Sequence, residues 1–217
     1  MLEHFTIRSV VDLGCGDGTW LSVFHRAGVD EVQGYDGDHV DRSMLRIPAE
    51  RFETADLSKP FRLSRRYDLA CSLEVGEHLP QASADDLVSA LVAAAPVVLF
   101  SAAIPRQGGF GHVNEQWQDW WAAKFATRGY VAIDLVRPLV WGDPEVAPWF
   151  QQNTIVYGDH ANEEVARLAA AHRPLRSLNC AHPAVYEGQE GARRALRTLA
   201  RWPLRKMRSA LRATRSG

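Results

Sequence analysis

A chain of 217 residues, 46% of them hydrophobic, is long enough to bury a proper core and too apolar to be disordered. Its three cysteines, Cys15, Cys71 and Cys180, have the spacing of neither a zinc knuckle nor a disulfide frame. No stretch approaches the roughly 20 apolar residues of a membrane span, and no signal-peptide pattern follows Met1, so a reducing cytoplasm is the expected compartment.

Apolar, β-branched runs alternate with helical patterns, which predicts a mostly parallel sheet with crossover helices. In chain order, Ser9 to Leu13 reads as the first strand and Thr19 to Ala27 as the helix after it. Glu31 to Tyr35 is the second strand, ending in Asp36, and a short helix is expected over Val40 to Arg46, closed by Pro48. Arg51 to Thr54 and Tyr67 to Ser72 are the third and fourth strands. Ser83 to Ala94 is a helix opened by a Ser83-x-x-Asp86 box. Val97 to Ser101 is a fully apolar fifth strand, and Asn114 to Arg128 is a helix stopped by Gly129. Tyr130 to Val136 and Asn153 to Tyr157 supply the last two strands, giving seven. The connection 137–152, with its Trp141-Gly142-Asp143-Pro144 and Pro148-Trp149-Phe150 runs, is too long and too aromatic for a turn and reads as a functional insertion. Glu163 to Ala171 is a further helix, followed by an irregular linker to Gly188.

The formal charge of −1 hides an asymmetry. From Gln189 onward there are nine basic residues and one acid, so a tail over 189–217 carries +8 and the preceding domain, 1–188, carries −9. Leu196, Leu199, Leu204, Met207 and Leu211 recur at near-helical intervals, interrupted by Pro203. With Trp202 as its one aromatic, the tail lacks the interleaved rings of a base-stacking platform. A contact with a partner, or with a second copy of the chain, is expected there rather than nucleic acid.

The most informative stretch is Val10-Val11-Asp12-Leu13-Gly14-Cys15-Gly16-Asp17-Gly18, an apolar run that ends in three alternating glycines. Glycines let the backbone turn sharply and approach a ligand closely. A dinucleotide loop normally reads Gly-x-Gly-x-x-Gly, whereas the third glycine here comes one residue early. The Asp-x-Gly-x-Gly-x-Gly pattern resembles motif I of class I S-adenosylmethionine (SAM) methyltransferases. That resemblance implies a Rossmann-like α/β fold with helices on both faces of the sheet, and SAM as the cofactor. Ligands of such sheets bind beyond the carboxyl ends of the strands. There Asp36 is placed to accept from the ribose hydroxyls, and Asp56 and Leu57 to meet the adenine. Asp12, Gly14 and Gly16 would hold the methionine end, with Glu74 bordering it.

The fourth strand runs into Glu74-Val75-Gly76-Glu77-His78. One helical turn would gather Glu74, Glu77 and His78 on one side. Two carboxylates and an imidazole suit Mg²⁺ or Mn²⁺. This Glu-x-x-Glu-His run resembles motif IV of metal-dependent methyltransferases, including small-RNA 2′-O-methyltransferases and ubiquinone-pathway O-methyltransferases. In the RNA enzymes a later histidine completes the metal site, which implies that role for His112. Glu77, His78 and His112 are therefore the expected catalytic residues, with His112 either a metal ligand or the base that takes the acceptor proton. The glycines around Phe110 suggest a mobile lid.

The stretch 101–157, with Gly-His-Val-Asn-Glu-Gln-Trp, a Trp-x-Asp-Pro loop and Trp-Phe-x-Gln-Asn, resembles bacterial methyltransferases of sugar and polysaccharide biosynthesis. The implied acceptor is a sugar or oligosaccharide hydroxyl, the 1-OH of a methylated mannoside among the candidates. Trp117, Trp141 and Trp149 would stack on sugar faces and Asn114 would hydrogen-bond hydroxyls, while the spacing of Trp120 and Trp121 fits core packing. The alternatives are a phenol or quinone acceptor, or a SAM-binding scaffold without turnover.

Overall fold

In the computed structural model, which describes residues 1–172 and 175–188, the β-branched and aromatic runs become seven strands, as expected of side chains that fit a buried pleated surface. They are β1 (Ser9–Leu13), β2 (Glu31–Asp36), β3 (Phe52–Thr54), β4 (Leu69–Leu73), β5 (Val97–Ser101), β6 (Tyr130–Ile133) and β7 (Ile155–Asp159). They pair in the order β3-β2-β1-β4-β5-β7-β6. Every pairing is parallel except β5–β7 and β6–β7, which are antiparallel.

Successive strand residues go to opposite faces, and both faces are covered. Val11, Ala70, Val98 and Phe100 pack into one cluster, with Leu87 and Leu91 of α2 (Ala84–Ala94) and Trp121 and Phe125 of α3 (Gln118–Ala126). Val10, Cys71, Val97 and Leu99 pack into the other, with Leu21 and Phe24 of α1 (Thr19–Arg26). This is the Rossmann-like arrangement predicted. The chain leaves β1 outward to β2 and β3 and returns on the other side to β4, so a crevice opens where β1 and β4 part at their carboxyl ends.

Several boundaries differ from expectation. The helix expected over Val40 to Arg46 is only a 3-10 turn at Arg42–Met44, because Asp41 accepts from the Ser43 amide and hydroxyl and closes a local turn instead. The helix expected from Asn114 begins at Gln118, since Asn114 is spent on the site below. Ser83 does not cap α2; its hydroxyl donates to the Ser58 carbonyl. The 137–152 connection folds into two short helices, α4 (Arg137–Val140) and α5 (Pro148–Asn153), and Asn153 closes the second rather than opening β7. The last helix, α6, spans Glu163–Ala171 as read, with the Asn162 side chain accepting from the Val165 amide at its start. Among the described residues no helix is long and apolar enough to cross a membrane. The basic tail over 189–217 and its leucine spacing lie outside the described residues.

Candidate active site

Gly14, Gly16 and Gly18 all adopt positive φ, 88°, 55° and 79°, which turns the chain sharply from β1 into α1. A Cβ at Gly14 would overlap Val75 of the β4 loop, whereas one at Gly16 would meet nothing within 4 Å. Asp36, at the end of β2, braces this loop. Its Oδ2 accepts from Gly16 N at 2.7 Å and its Oδ1 from Gly37 N at 2.6 Å. His39 Nε2 stands 3.5 Å from Oδ1, and since a carboxylate has about four lone-pair sites, Asp36 keeps room to accept from ligand hydroxyls.

Asp12 lies beneath the loop. It is 1% exposed and neither carboxylate oxygen has a hydrogen-bond partner. Burial, and then the charge of Asp36, raises its carboxyl to about 7. It does not line the crevice, so its influence there is electrostatic. Asp56 faces the crevice, but Ser58 and Lys59 already hold its carboxylate and keep it low, at about 2. Leu57, 8% exposed, supplies an apolar wall beside it. Gly14, Gly16, Asp36, Asp56 and Leu57 border a cleft of about 890 Å³. The acidity of Asp12 and Asp36 suits a cofactor that carries a sulfonium and an ammonium. The free lone pairs of Asp36 suit its ribose, so the residues present fit SAM.

A second cavity of about 660 Å³ adjoins the first, with Glu74 and His78 lining both. Glu74 ends β4 with φ 56°, a left-handed conformation that is uncommon outside glycine. Its amide donates to the Ser101 carbonyl and hydroxyl, and its two carboxylate oxygens accept from Gln107 and Asn153 at 2.9 and 3.1 Å. Gly76–His78 then form a single 3-10 turn, with Gly76 packed so closely on Trp121 that a Cβ would not fit.

That turn is stapled to the segment Val113-Asn114, up to 38 residues further along. The Glu77 carbonyl accepts from Val113 N at 2.8 Å and Asn114 N at 3.0 Å, while Asn114 Nδ2 donates to the Gly76 carbonyl. Asn114 is 2% exposed, so it braces the site rather than offering itself to an acceptor. The staple brings His112 beside His78, their rings edge to face at 4.9 Å. Ligand atoms of Glu77, His78 and His112 all lie within 4.8 Å of one another. Glu74, expected with them, stands outside that group, its oxygens engaged by the two amides.

The Glu77 side chain is fully buried, and neither of its oxygens has a hydrogen-bond partner. Burial, and then the charge of Glu74, pushes its carboxyl up to about 8. At that value the group keeps its proton near neutral pH, and a cation beside it would draw it into the carboxylate form. One carboxylate and two imidazoles are a fitting donor set for a divalent cation.

Of the tryptophans singled out, Trp149 lines this second cavity, together with Pro148, Ala184 and Val185. Trp141 instead packs its ring on His182 at 4.8 Å, and Trp117 is exposed ahead of α3; neither borders the cavity. Trp121 is buried and Trp120 packs against the same core, as their spacing predicts. The sequence did not reveal the buried polar lattice behind the wall. Gln152 Nε2 donates to Gln107 Oε1, and Arg137 donates to the Gln152 and Leu178 carbonyls and to Cys180 Sγ. Those contacts bind the segment before Ala184 to α5. Glutamines, Arg137 and Cys180 carry no recognisable spacing, and only the pairing of distant segments makes them a unit.

The strand order, the glycine loop at the end of β1 and the acidic end to β2 are those of a class I SAM-dependent methyltransferase. The chain belongs to the methyltransferase-domain family, whose model matches residues 2–134. No protein of curated function matches it in sequence, so the mannoside acceptor gains no support there. Among solved structures it is similar to the methyltransferase domain of bacterial CtHen1, with a TM-score of 0.52 at 19% identity over 70% of this chain and 89% of that one. It is also similar to the sugar N-methyltransferase KedS8 from Streptoalloteichus sp., with a TM-score of 0.54 at 15% identity over 70% of this chain and 80% of that one. At such identities the likeness is one of fold.

Proposed function

We propose that the protein transfers the methyl group of SAM to a sugar hydroxyl, assisted by a divalent cation, Mg²⁺ or Mn²⁺, held by Glu77, His78 and His112. The observation that carries this reading is the buried, unpartnered Glu77 carboxyl set against two imidazoles in the wall of the second cavity. SAM supplies an electrophilic methyl, and a cation at this site lowers the pKa of an alcohol that is otherwise a poor nucleophile.

The chain's own residues do the rest. Asp36 and the glycine loop would hold SAM in the first cleft, which Glu74 also lines. Glu77, His78 and His112 hold the acceptor oxygen's end of the second cavity. His112 has Nδ1 occupied by Glu115 at 3.0 Å, so Nε2 is the nitrogen left to serve as a ligand or to take the acceptor proton. Trp149 offers a flat apolar face opposite, suited to the C–H face of a pyranose.

The test is a panel of mannosides, other glycosides, phenols and quinols incubated with SAM, with product masses and the methylated position determined. Turnover on glycosides supports the reading. Turnover confined to phenols or quinols replaces the sugar, and SAM binding without turnover on any hydroxyl makes the protein a scaffold.

A further inference from the structure

One carboxylate outside the metal set links the histidine to the wall between the two cavities. Glu115 Oε1 accepts from His112 Nδ1 at 3.0 Å and from Gly108 N at 2.9 Å, and Oε2 accepts from Arg106 N at 2.6 Å. Arg106 sits at φ 73°, a left-handed turn that a non-glycine residue rarely adopts unless something holds it. The held turn carries Gln107, whose amide donates to Glu74 Oε2. Beyond it, Gly108 and Gly109 border the acceptor cavity, while Phe110 and Gly111 border the cofactor cleft. Gly109 lies against the His112 ring so closely that a Cβ would collide with Nε2.

We propose that Glu115 is a positioning residue that fixes His112 in its Nδ1–H tautomer and the 106–111 loop in the conformation that walls off the two cavities. A histidine that donates one ring N–H to a carboxylate has its other nitrogen's lone pair aimed and made more basic. Glu115 therefore sets which nitrogen of His112 reaches Glu77 and His78. The same side chain holds the loop from which Gln107 orients Glu74. A change in the loop and a change in the histidine are thus coupled through a single group. The metal-affinity consequence rests on the cation site proposed above; the tautomer does not.

The experiment uses the full 217-residue chain, its Glu115→Ala and Glu115→Gln variants, and Mn²⁺ and SAM as probes, with folding checked by thermal melts. Calorimetric titration of Mn²⁺ is expected to show an affinity about 10- to 100-fold weaker for Glu115→Ala. The loss is expected to be smaller for Glu115→Gln, which keeps one acceptor for the ring, and SAM affinity should stay within about twofold in both variants. Independently, ¹⁵N spectra of histidine-labelled, metal-free protein should show His112 protonated on Nδ1 in the parent chain and shifted to Nε2–H in Glu115→Ala. Equal Mn²⁺ affinity in the parent and both variants, or an unchanged tautomer in a folded Glu115→Ala, would overturn the assignment. If the parent chain binds no Mn²⁺, the cation site fails, and the tautomer measurement alone decides the role of Glu115.

Discussion

Replacing Asp12 by Asn separates the cost of a buried charge from the function it serves. In the folded chain, burial and then the Asp36 charge raise this carboxyl from 3.8 to about 7. The native state therefore keeps its proton at pH values where the unfolded chain has lost it. The stabilisation tied to that proton is complete below about pH 4, declines as pH rises, and is gone above about 7. Three pKa units correspond to about 4 kcal/mol, of which about 2.5 kcal/mol falls between pH 5 and pH 8. An Asn side chain has unsatisfied groups of its own in that pocket, but their cost does not vary with pH. The assay is urea unfolding of both proteins without cofactor at pH 5, 6, 7 and 8. The parent chain should lose about 2.5 kcal/mol relative to Asp12→Asn across that range. Parallel pH dependences, or a parent chain that gains stability relative to the variant as pH rises, would refute the assignment of an unpaired buried carboxyl.

The two glycines of the loop should behave differently on replacement by Ala. Gly14→Ala forces a Cβ into Val75 at φ 88° and should lower the melting temperature sharply, whereas Gly16→Ala, at φ 55° with open space, should cost about 1–2 kcal/mol by chemical denaturation. Asp36→Ala should weaken SAM binding by about 100-fold in calorimetry, the loss of two charge-assisted hydrogen bonds. Glu77→Gln should retain SAM affinity and lose turnover, and it should unfold at higher urea than the parent above pH 8, where the parent's carboxyl, raised to about 8, would have to ionise in place. Trp149→Ala should raise the KM for a glycoside acceptor while leaving the Kd of SAM unchanged.

The cofactor cleft was legible because its signals are local. Gly14, Gly16 and Asp36 act through backbone shape and strand ends, and those follow from hydrophobic runs and their punctuation. The Glu-x-x-Glu-His run was legible as chemistry but less so as geometry. All four predicted ligands line the second cavity, yet Glu74 is turned onto Gln107 and Asn153 by its left-handed backbone. Nothing in the spacing encodes that turn. The helical pattern starts at Asn114, whereas the fold spends that residue on Gly76, 38 residues away in sequence. Glu115 likewise read as a first-turn residue, since its partners Arg106 and Gly108 precede the element it seemed to open. The residues before Ala184 reach the site through Arg137, Gln118 and Gln152, a lattice of long-range bonds invisible to any local pattern.

The central claim is that Glu77, His78 and His112 hold a divalent cation that assists methyl transfer to a hydroxyl. The most direct test is transfer of labelled methyl from SAM to the glycoside panel after EDTA treatment and dialysis, with and without Mg²⁺ or Mn²⁺ added back. Transfer that is lost with EDTA, is restored by either ion, and is absent throughout in Glu77→Gln is the predicted result. Transfer that proceeds at the same rate in EDTA would contradict it.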